Sequence, residues 1–360
     1  MKYESKKPRV IVPEGGSGFR DGVAQYISLL VEALLAEGVE TEIFQTDGRL
    51  GKWVQLLTRT STHVLVQYPQ ESWGHSVSPT FWFVLASLMR KKVILVLHEY
   101  RGMHFLRRWS IVPLILVASK LVFVAKSVQD DFDRSRLGRI LSRTYFIPIG
   151  SNITYHEISD QDVLRLRSSS EKHSMDELIV GFFGFIYPAK NLDLLLRAVA
   201  AIRRDGRAIK IRLVGGFPTD HHKQEEIFWG KVKSYGIEDV IEYLGFVESD
   251  LRVAELMKAC NVLYLFYEDG LSERRSSFWF AYQLGVRIIT NRGVGTPDVE
   301  RLITNFNFDG SVDFLEMNPS EKEVVEKILD CENYSIVRSK PKSAPLWRHV
   351  AQRYHELLVC

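Results

Sequence analysis

The sequence predicts an α/β protein of two doubly wound domains, each built on a parallel sheet covered by helices. Short runs rich in β-branched residues alternate with longer segments whose apolar residues recur at helical spacing, which is typical of parallel strands joined by crossover helices. The chain of 360 residues exceeds what one hydrophobic core usually supports. The alternation also breaks at a polar segment near the middle of the chain and then restarts, so we expect two domains.

The first domain is predicted to span residues 1–151. Its first strand, residues 10–12, leads through a glycine-rich loop into a helix over residues 23–37 that ends near Gly38. Further apolar and β-branched runs favour buried strands at residues 41–44, 63–69, 91–100, 120–127 and 143–150.

The second domain is predicted over residues 178–335, after a polar linker at residues 152–177. Its expected strands are residues 178–185, 209–216, 240–246, 261–266 and 286–291. A second polar break precedes a final helix over residues 346–358. Ligands of open α/β sheets bind beyond the carboxyl ends of the strands, so two such domains facing each other would form a central ligand cleft.

Composition narrows the class of protein. With 46% hydrophobic and 25% charged residues, the chain has the balance of a globular protein, and its net charge of +3 argues against nucleic acid as a partner. Three widely spaced cysteines, without metal-ligand spacing, fit a reducing compartment. No run reaches the roughly 18 apolar residues of a membrane span, and the N-terminus does not read as a signal peptide. We therefore expect a cytoplasmic protein.

The glycine-rich loop GGSGFRDG at residues 15–22 follows the first predicted strand. Glycines at this place let the backbone approach a phosphate closely. Their spacing does not match G-x-G-x-x-G, which disfavours a nicotinamide dehydrogenase. A ligand-facing loop and a flexible surface turn are both open.

His98 ends another predicted strand, beside Glu99. From that position it could hydrogen-bond a sugar hydroxyl or a developing charge. The alternative is a hydrogen-bonded core histidine.

Lys190 stands between a predicted strand and a helix with an apolar stripe, for which Asn191 is the expected N-cap. A lysine just ahead of a helix start suits a phosphate, whereas a solvated surface lysine is the alternative.

The stretch YEDGLSERRSSFWFAYQLG, residues 267–285, concentrates positive charge at a predicted helix start. Asp269 and Gly270 form a turn, Ser276 or Ser277 would cap the helix, and Gly285 would end it. Two arginines near the first N–H groups favour an anionic ligand, with internal pairing to nearby carboxylates as the alternative: Arg274 and Arg275.

In this order, the four features resemble the retaining GT-B glycosyltransferases of glycosyltransferase family 4. The resemblance extends over nearly the whole chain and rests on DGVAQYISLLVEALLAEG (21–38), LHEY (97–100), FIPIGSNI (146–153), GFIYPAKNLDLLLRA (184–198), IRLVGG (211–216) and LWRHVAQRYHELL (346–358).

The resemblance implies the GT-B fold, a nucleotide-diphosphate sugar held by the second domain and an acceptor held by the first. Residues 336–360 would return to the first domain, and transfer would retain anomeric configuration without a metal or cofactor. The acceptor would be a glycan or a lipid-linked molecule of polysaccharide or glycolipid synthesis. Donor contacts are assigned to Gly22, Lys190, Asp269, Gly270, Ser272, Arg274, Arg275 and Ser276. His98 would touch the transferred sugar, and acceptor contacts are assigned to Arg20, Tyr100 and Arg101.

The chain departs from that family's pattern in two motifs. Phe185 follows Gly184 where the family usually has arginine, and the two family glutamates fall at Ser272 and Phe280. These departures leave two alternatives open: a non-catalytic sugar-nucleotide-binding protein and a nucleotide-sugar epimerase of the same fold.

Basic residues flank two apolar segments of the first domain, residues 81–89 and 109–117. Such a surface could dock on anionic lipid at the inner face of a membrane, near a lipid-linked acceptor. Core helices with solvated charged ends are the alternative. The basic residues are Arg90, Lys91, Lys92, Arg101, Arg107 and Arg108.

Overall fold

The computed structural model describes residues 8–15, 22–46, 48–74, 76–151, 153, 158, 160–168, 177–217, 222–306, 312–331 and 346–359. The chain divides into two compact units. Unit 1 comprises residues Met1–Asn152 together with Ala344–Cys360, and unit 2 comprises residues Ile153–Ser343.

Unit 1 contains a six-stranded parallel sheet in the order β2-β1-β3-β4-β5-β6. Strand β3 is buried along its whole length, as expected for a parallel sheet covered on both faces. The strands are β1 (Arg9–Gly15), β2 (Glu40–Thr46), β3 (His63–Tyr68), β4 (Lys92–Leu97), β5 (Lys120–Phe123) and β6 (Thr144–Phe146). The helices are α1 (Gly22–Ala36), α2 (Leu50–Thr58), α3 (Ser78–Leu88), α4 (Phe105–Ser110), α5 (Val112–Val117) and α6 (Lys126–Asp133).

The C-terminal helix, α14 (Leu346–Val359), also belongs to unit 1 and packs against α1. The hydroxyl groups of Tyr26 and Tyr354 lie 3.1 Å apart in this contact. Trp347 lies so close to Gly150 that a Cβ there would meet its indole at 2.4 Å. Glycine at position 150 therefore allows Trp347 and the last helix to pack closely on this face of the sheet.

Unit 2 contains a second six-stranded parallel sheet, in the order β12-β11-β10-β7-β8-β9. Its strands are β7 (Leu178–Phe183), β8 (Ile209–Val214), β9 (Ile241–Tyr243), β10 (Val262–Leu265), β11 (Arg287–Asn291) and β12 (Val312–Leu315). Its helices are α7 (Asp160–Ser168), α8 (Leu192–Arg204), α9 (His222–Tyr235), α10 (Asp250–Lys258), α11 (Ser276–Leu284), α12 (Thr296–Phe306) and α13 (Glu321–Leu329).

The largest core cluster of unit 2 forms where α8 packs on the sheet. Helix α8 buries the predicted stripe of Leu192, Leu195, Leu196 and Val199. Gly285 ends α11 in the left-handed conformation, with φ 68°, as the sequence predicts.

The structure differs from the predicted elements at several places. Strands β6 and β9 are only three residues long, because both are half-exposed edge strands. The edge strand β12 was not predicted. The predicted linker contains α7, which packs against α10. In the described part of the chain, each helix is too short or too polar to cross a bilayer.

Candidate functional site

The candidate site lies at the topological switch point of unit 2. Strands β7 and β10 are neighbours in the sheet, although β8 and β9 separate them in the sequence. Crossover connections leave in opposite directions from such a pair, so the loops after the two strands part and leave room for a ligand. The loops after β7, β10 and β11 carry the side chains described below.

Lys190 closes a single 3₁₀ turn, Pro188–Lys190, in the loop after β7. Its Nζ atom lies 4.3 Å from the centre of the Tyr267 ring, in the loop after β10. Burial and, to a smaller extent, the nearby Arg275 guanidinium lower the pKa of Lys190 to about 8, and Asp269 partly opposes both effects. A lysine held so far below its usual pKa marks a place where an anion would be favourable.

Arg275 contacts the same aromatic ring. The centre of its guanidinium group lies 4.8 Å from the centre of the Tyr267 ring, and the guanidinium pairs with the Asp269 carboxylate. The Tyr267 hydroxyl is fixed in turn, 2.9 Å from the Ser277 hydroxyl. One buried tyrosine therefore holds two cations close together, with a single carboxylate between them and solvent.

Asn291 joins the loops after β10 and β11. Its side chain donates to the Tyr267 carbonyl at 2.8 Å and accepts from the Tyr267 N–H at 3.0 Å. The Thr296 hydroxyl donates to the Leu271 carbonyl at 3.0 Å. Asn291 of β11 therefore holds the Tyr267 backbone, and Thr296 of α12 holds the same loop at Leu271.

Gly270 and Gly293 bring the same two loops into backbone contact. Gly270 has φ 76°, and a Cβ at this position would lie 2.3 Å from the Arg292 carbonyl oxygen. A Cβ at Gly293 would lie 2.2 Å from the Asp269 carbonyl oxygen. Gly270, assigned from the sequence to donor binding, thus shapes the site through its backbone.

Glu273 is fully buried in the same loop, which the sequence did not predict. A Cβ at Gly295 would lie 3.2 Å from the Oε2 atom of Glu273. The backbone carbonyl of Glu273 accepts a hydrogen bond from the Trp279 indole at 2.9 Å. In the sequence, Glu273 is only one of the nearby carboxylates that could pair with the arginines. Its burial depends on the glycines after β11, which are distant in the sequence. Ser272 beside it is also buried.

Of the two predicted helix caps, that of α11 is wrong and that of α8 is confirmed in position only. Arg275 occupies the N-cap position of α11 without a side-chain capping bond, so neither Ser276 nor Ser277 is the cap. Asn191 occupies the N-cap position of α8, as predicted, but it is in the left-handed conformation, with φ 48°, and its side chain makes no capping bond. Ser276 is the first residue of α11, and Arg274 is exposed.

The two departures from the family pattern have different environments. Phe280 is fully buried in α11 and packs against Phe183 at the end of β7, with ring centres 5.1 Å apart. Phe185 is exposed in the loop after β7. The Phe280 position is therefore part of the core.

His98 follows β4 in unit 1 and is half-buried. Its Nε2 atom lies 2.9 Å from the Oε1 atom of Gln67, a buried residue of β3. The Tyr26 ring meets the imidazole edge-on, with ring centres 5.0 Å apart. These contacts fix the orientation of the imidazole at the carboxyl end of the sheet of unit 1.

The residues assigned to the acceptor lie in different environments. Tyr100 is buried, with its ring centre 5.1 Å from that of Phe132, and Arg101 is exposed, 3.8 Å from Asp131. Arg20 lies outside the described residues. Gly22, assigned to the donor, is the first residue of α1.

Comparison with known proteins finds a similarity to one family in the second unit. Residues 177–309 match a family model described as glycosyl transferases group 1. No curated protein matches the chain at a significant level.

Similar solved structures cover almost the whole chain. Anabaena Alr3699/HepE in complex with UDP is 16% identical with a TM-score of 0.66, covering 98% of this chain and 96% of that one. A glycosyltransferase from Rickettsia africae ESF-5 is 11% identical with a TM-score of 0.64, covering 98% and 93%. The catalytic domain of starch synthase IV from Arabidopsis thaliana is 11% identical with a TM-score of 0.65, covering 98% and 99%.

These matches confirm the predicted fold class, in which each unit holds a parallel six-stranded sheet with interleaved helices. The chain has the GT-B fold, and residues 177–309 of its second unit are similar to the group 1 glycosyl transferases.

Proposed function

We propose that the protein transfers a sugar from a nucleotide-diphosphate sugar to a hydroxyl group of a glycan or lipid-linked acceptor. The observation that carries this proposal is the convergence of Lys190 and Arg275 on the Tyr267 ring at the switch point of unit 2. Two neighbouring cations repel each other, and a diphosphate placed between them removes that cost.

The donor diphosphate is bound by Lys190, Arg275 and the first N–H groups of α11. N–H groups at a helix start have no partner within the helix and favour an anion. Arg274, exposed beside the N-cap of α11, is free to reach the same phosphates. Gly270 and Ser272 shape the loop, and Asp269 holds Arg275 until the donor arrives.

In the transfer, the bond between the anomeric carbon and the diphosphate oxygen breaks, and the acceptor oxygen forms the new bond. The nucleoside diphosphate leaves with the bonding electron pair and takes the proton of the acceptor hydroxyl. Lys190 and the arginines stabilise the negative charge that grows on the leaving oxygen, which is electrostatic catalysis. We propose that the transfer needs no metal, since Lys190 and the arginines supply the positive charge that the diphosphate requires. We also propose that it retains the anomeric configuration, as the resemblance implies.

His98 is proposed to hydrogen-bond the transferred sugar, and Arg20, Tyr100 and Arg101 to line the acceptor side. The orientation of the imidazole between Gln67 and Tyr26 supports the first assignment. Uridine nucleotides are the first donors to examine, since Alr3699/HepE binds UDP and UDP-glucose. A lipid-linked acceptor agrees with the fold of WaaG, a glycosyltransferase involved in lipopolysaccharide biosynthesis. We place the reaction at the cytoplasmic face of a membrane.

The test begins with binding and then measures turnover. Isothermal titration with UDP, GDP, ADP and dTDP should identify one preferred nucleotide, and the double variant Arg274→Ala/Arg275→Ala should weaken its binding by about a hundredfold. A matched control, Arg301→Ala/Lys322→Ala, removes two exposed cations of unit 2 and should bind as the unchanged protein does. Unchanged affinity of the first variant would overturn the assignment of the site.

Turnover is measured with sugars of the preferred nucleotide and with soluble and lipid-linked acceptors. Transfer with release of the nucleoside diphosphate is the expected result. The core position of Phe280 favours one competing function, a protein that binds the sugar nucleotide without catalysis. Tight binding with neither transfer nor hydrolysis across the panel would establish that function instead.

A further inference from the structure

We propose that helices α3, α4 and α5 of unit 1 form a docking surface for an anionic lipid bilayer. The docking surface is defined by the exposed apolar side chains Phe81, Leu88, Phe105, Leu106, Trp109 and Leu116. Docking through this surface would hold the protein at the membrane face where we place the transfer reaction. The docking itself depends on neither donor binding nor catalysis.

The composition of α3 is unusual for a helix with an exposed face. Its sequence, SPTFWFVLASL, contains no charged residue. Phe83 and Ala86 face the core of unit 1, but Phe81 and Leu88, seven residues apart on another face, are exposed. Phe81 exposes 61% of its surface. A helix that is apolar all round normally has a second apolar environment to cover it.

Helix α4 extends this apolar surface. None of its residues is buried, and its first two residues and Trp109 are exposed, the tryptophan by 74%. Helix α5 packs against both α3 and α4, so the three helices form one continuous face. The Arg107 side chain donates to the Gly74 carbonyl and fixes α4 against the segment before α3. The exposed tryptophan is thus presented by an anchored helix.

Charge identifies the occupant as an anionic surface. Residues 72–125 contain one acidic side chain, Glu99, while their basic side chains are Arg90, Lys91, Lys92, Arg101, Arg107, Arg108 and Lys120. Lys91 is buried and donates to the Arg59 and Ser61 carbonyls, so it must be removed from the predicted basic surface. Arg90 and Arg108 make no ion pair with any described residue. Aromatic and leucine side chains beside unpaired arginines are the combination that binds at the headgroup boundary of anionic bilayers.

The test is vesicle binding by the full chain without donor. The protein should co-sediment with vesicles of phosphatidylcholine and phosphatidylglycerol, and salt or omission of phosphatidylglycerol should weaken binding by about tenfold or more. The variants Phe81→Ser/Trp109→Ser and Arg90→Glu/Arg108→Glu should each reduce binding by a similar factor. Phe81, Arg90 and Trp109 are exposed and Arg108 is half-buried, so both variants should fold, which circular dichroism checks, and their nucleotide titration should be unchanged.

Matched controls separate the docking surface from general apolarity and charge. Leu35→Ser removes a side chain that is 53% exposed on α1, whose helix packs on the other face of the sheet. Arg301→Glu/Lys322→Glu makes the same change of charge on unit 2. Both controls should bind vesicles as the unchanged protein does.

Failure of the unchanged protein to bind anionic vesicles, or unchanged binding by both surface variants, would overturn the proposal. If the protein is a dimer that Phe81→Ser/Trp109→Ser converts to a monomer, and vesicle binding is absent, the face belongs to a second copy. Loss of vesicle binding with intact nucleotide binding concerns the docking surface alone, so the two proposals fail separately.

Discussion

The Lys190 ammonium and the Tyr267 ring are in cation–π contact, with 4.3 Å between the Nζ atom and the ring centre. The contact joins the loops after β7 and β10. Between these two strands the crossover connections of unit 2 reverse their direction along the sheet. Because Arg275 approaches the same ring and Lys190 is half-buried, the free protein holds Lys190 in an unfavourable charged state. Binding of a diphosphate would neutralise the two cations and so recover the free energy that their proximity costs in the free protein.

The first prediction concerns Lys190→Met, which should separate stability from ligand binding. A folded-state lysine pKa of about 8 means that the charged form destabilises the fold at neutral pH, so the variant should be more stable by about 1 kcal/mol. Loss of the phosphate contact should weaken nucleotide binding by roughly ten- to a hundredfold. Chemical denaturation and calorimetric titration measure the two effects.

The control for this variant is Lys322→Met, which removes an exposed lysine of unit 2. It should change neither quantity. A Lys190→Met protein that is less stable and still binds the nucleotide would show that Lys190 has a structural role.

The second prediction is a pH dependence of donor affinity. Burial and Arg275 lower the pKa of free Lys190 to about 8, and a bound diphosphate raises it again, so binding takes up a proton at higher pH. Affinity for a sugar nucleotide such as UDP-glucose should be constant below about pH 8 and fall by up to about tenfold per unit above it. Titration in buffers of different ionisation enthalpy measures the proton uptake. The Lys190→Met variant should lose the dependence, and its persistence there would assign the titration to another group.

Much of unit 2 could be predicted from local sequence. Helix α8 has a regular leucine stripe, and Gly285 is followed at once by an apolar strand, so both were predicted correctly. Strand β12, VDFL, was not predicted, because it is four residues long, includes a charged residue and lies half-exposed at the sheet edge. Short edge strands carry little of the apolar pattern on which such predictions depend.

The site could be predicted only in part. The sequence predicted Lys190 and Arg275 as candidate phosphate ligands, since a cation before a helix start is a local pattern, and the structure brings both to one ring. It could not identify Tyr267 as their common contact, because the contact with Lys190 joins two loops that β8, β9 and β10 separate in the sequence. The burial of Glu273 likewise depends on Gly295, and the N-cap of α11 depends on how the loop is held by Asn291.

The third prediction distinguishes the two costs of a side chain at Gly270. Gly270→Ala should lower the free energy of unfolding by about 2 kcal/mol or more. A left-handed backbone is unfavourable for alanine, and the added Cβ would clash with the Arg292 carbonyl. Gly206→Ala is the control, since Gly206 has φ 79° with open space around it and should lose only about 1 kcal/mol. Denaturation of both variants measures the difference, which is the contribution of the loop contact.

Nucleotide titration completes this test. Gly270→Ala should also weaken nucleotide binding, because the loop that carries Arg275 must move away from Gly293. Equal destabilisation by the two variants would show that the backbone contact between the loops is not required.

The last prediction concerns His98, for which the sequence left a sugar contact and a core role open. If the imidazole contacts the transferred sugar, His98→Ala should lower the rate of transfer by about a hundredfold or more, with nucleotide affinity unchanged. The unchanged affinity is expected because the nucleotide site belongs to unit 2 and His98 to unit 1. The control His355→Ala removes another half-buried histidine of unit 1, on α14, and should transfer sugar normally. A His98→Ala protein with a lower melting temperature and a normal rate would assign the imidazole to packing between Gln67 and Tyr26.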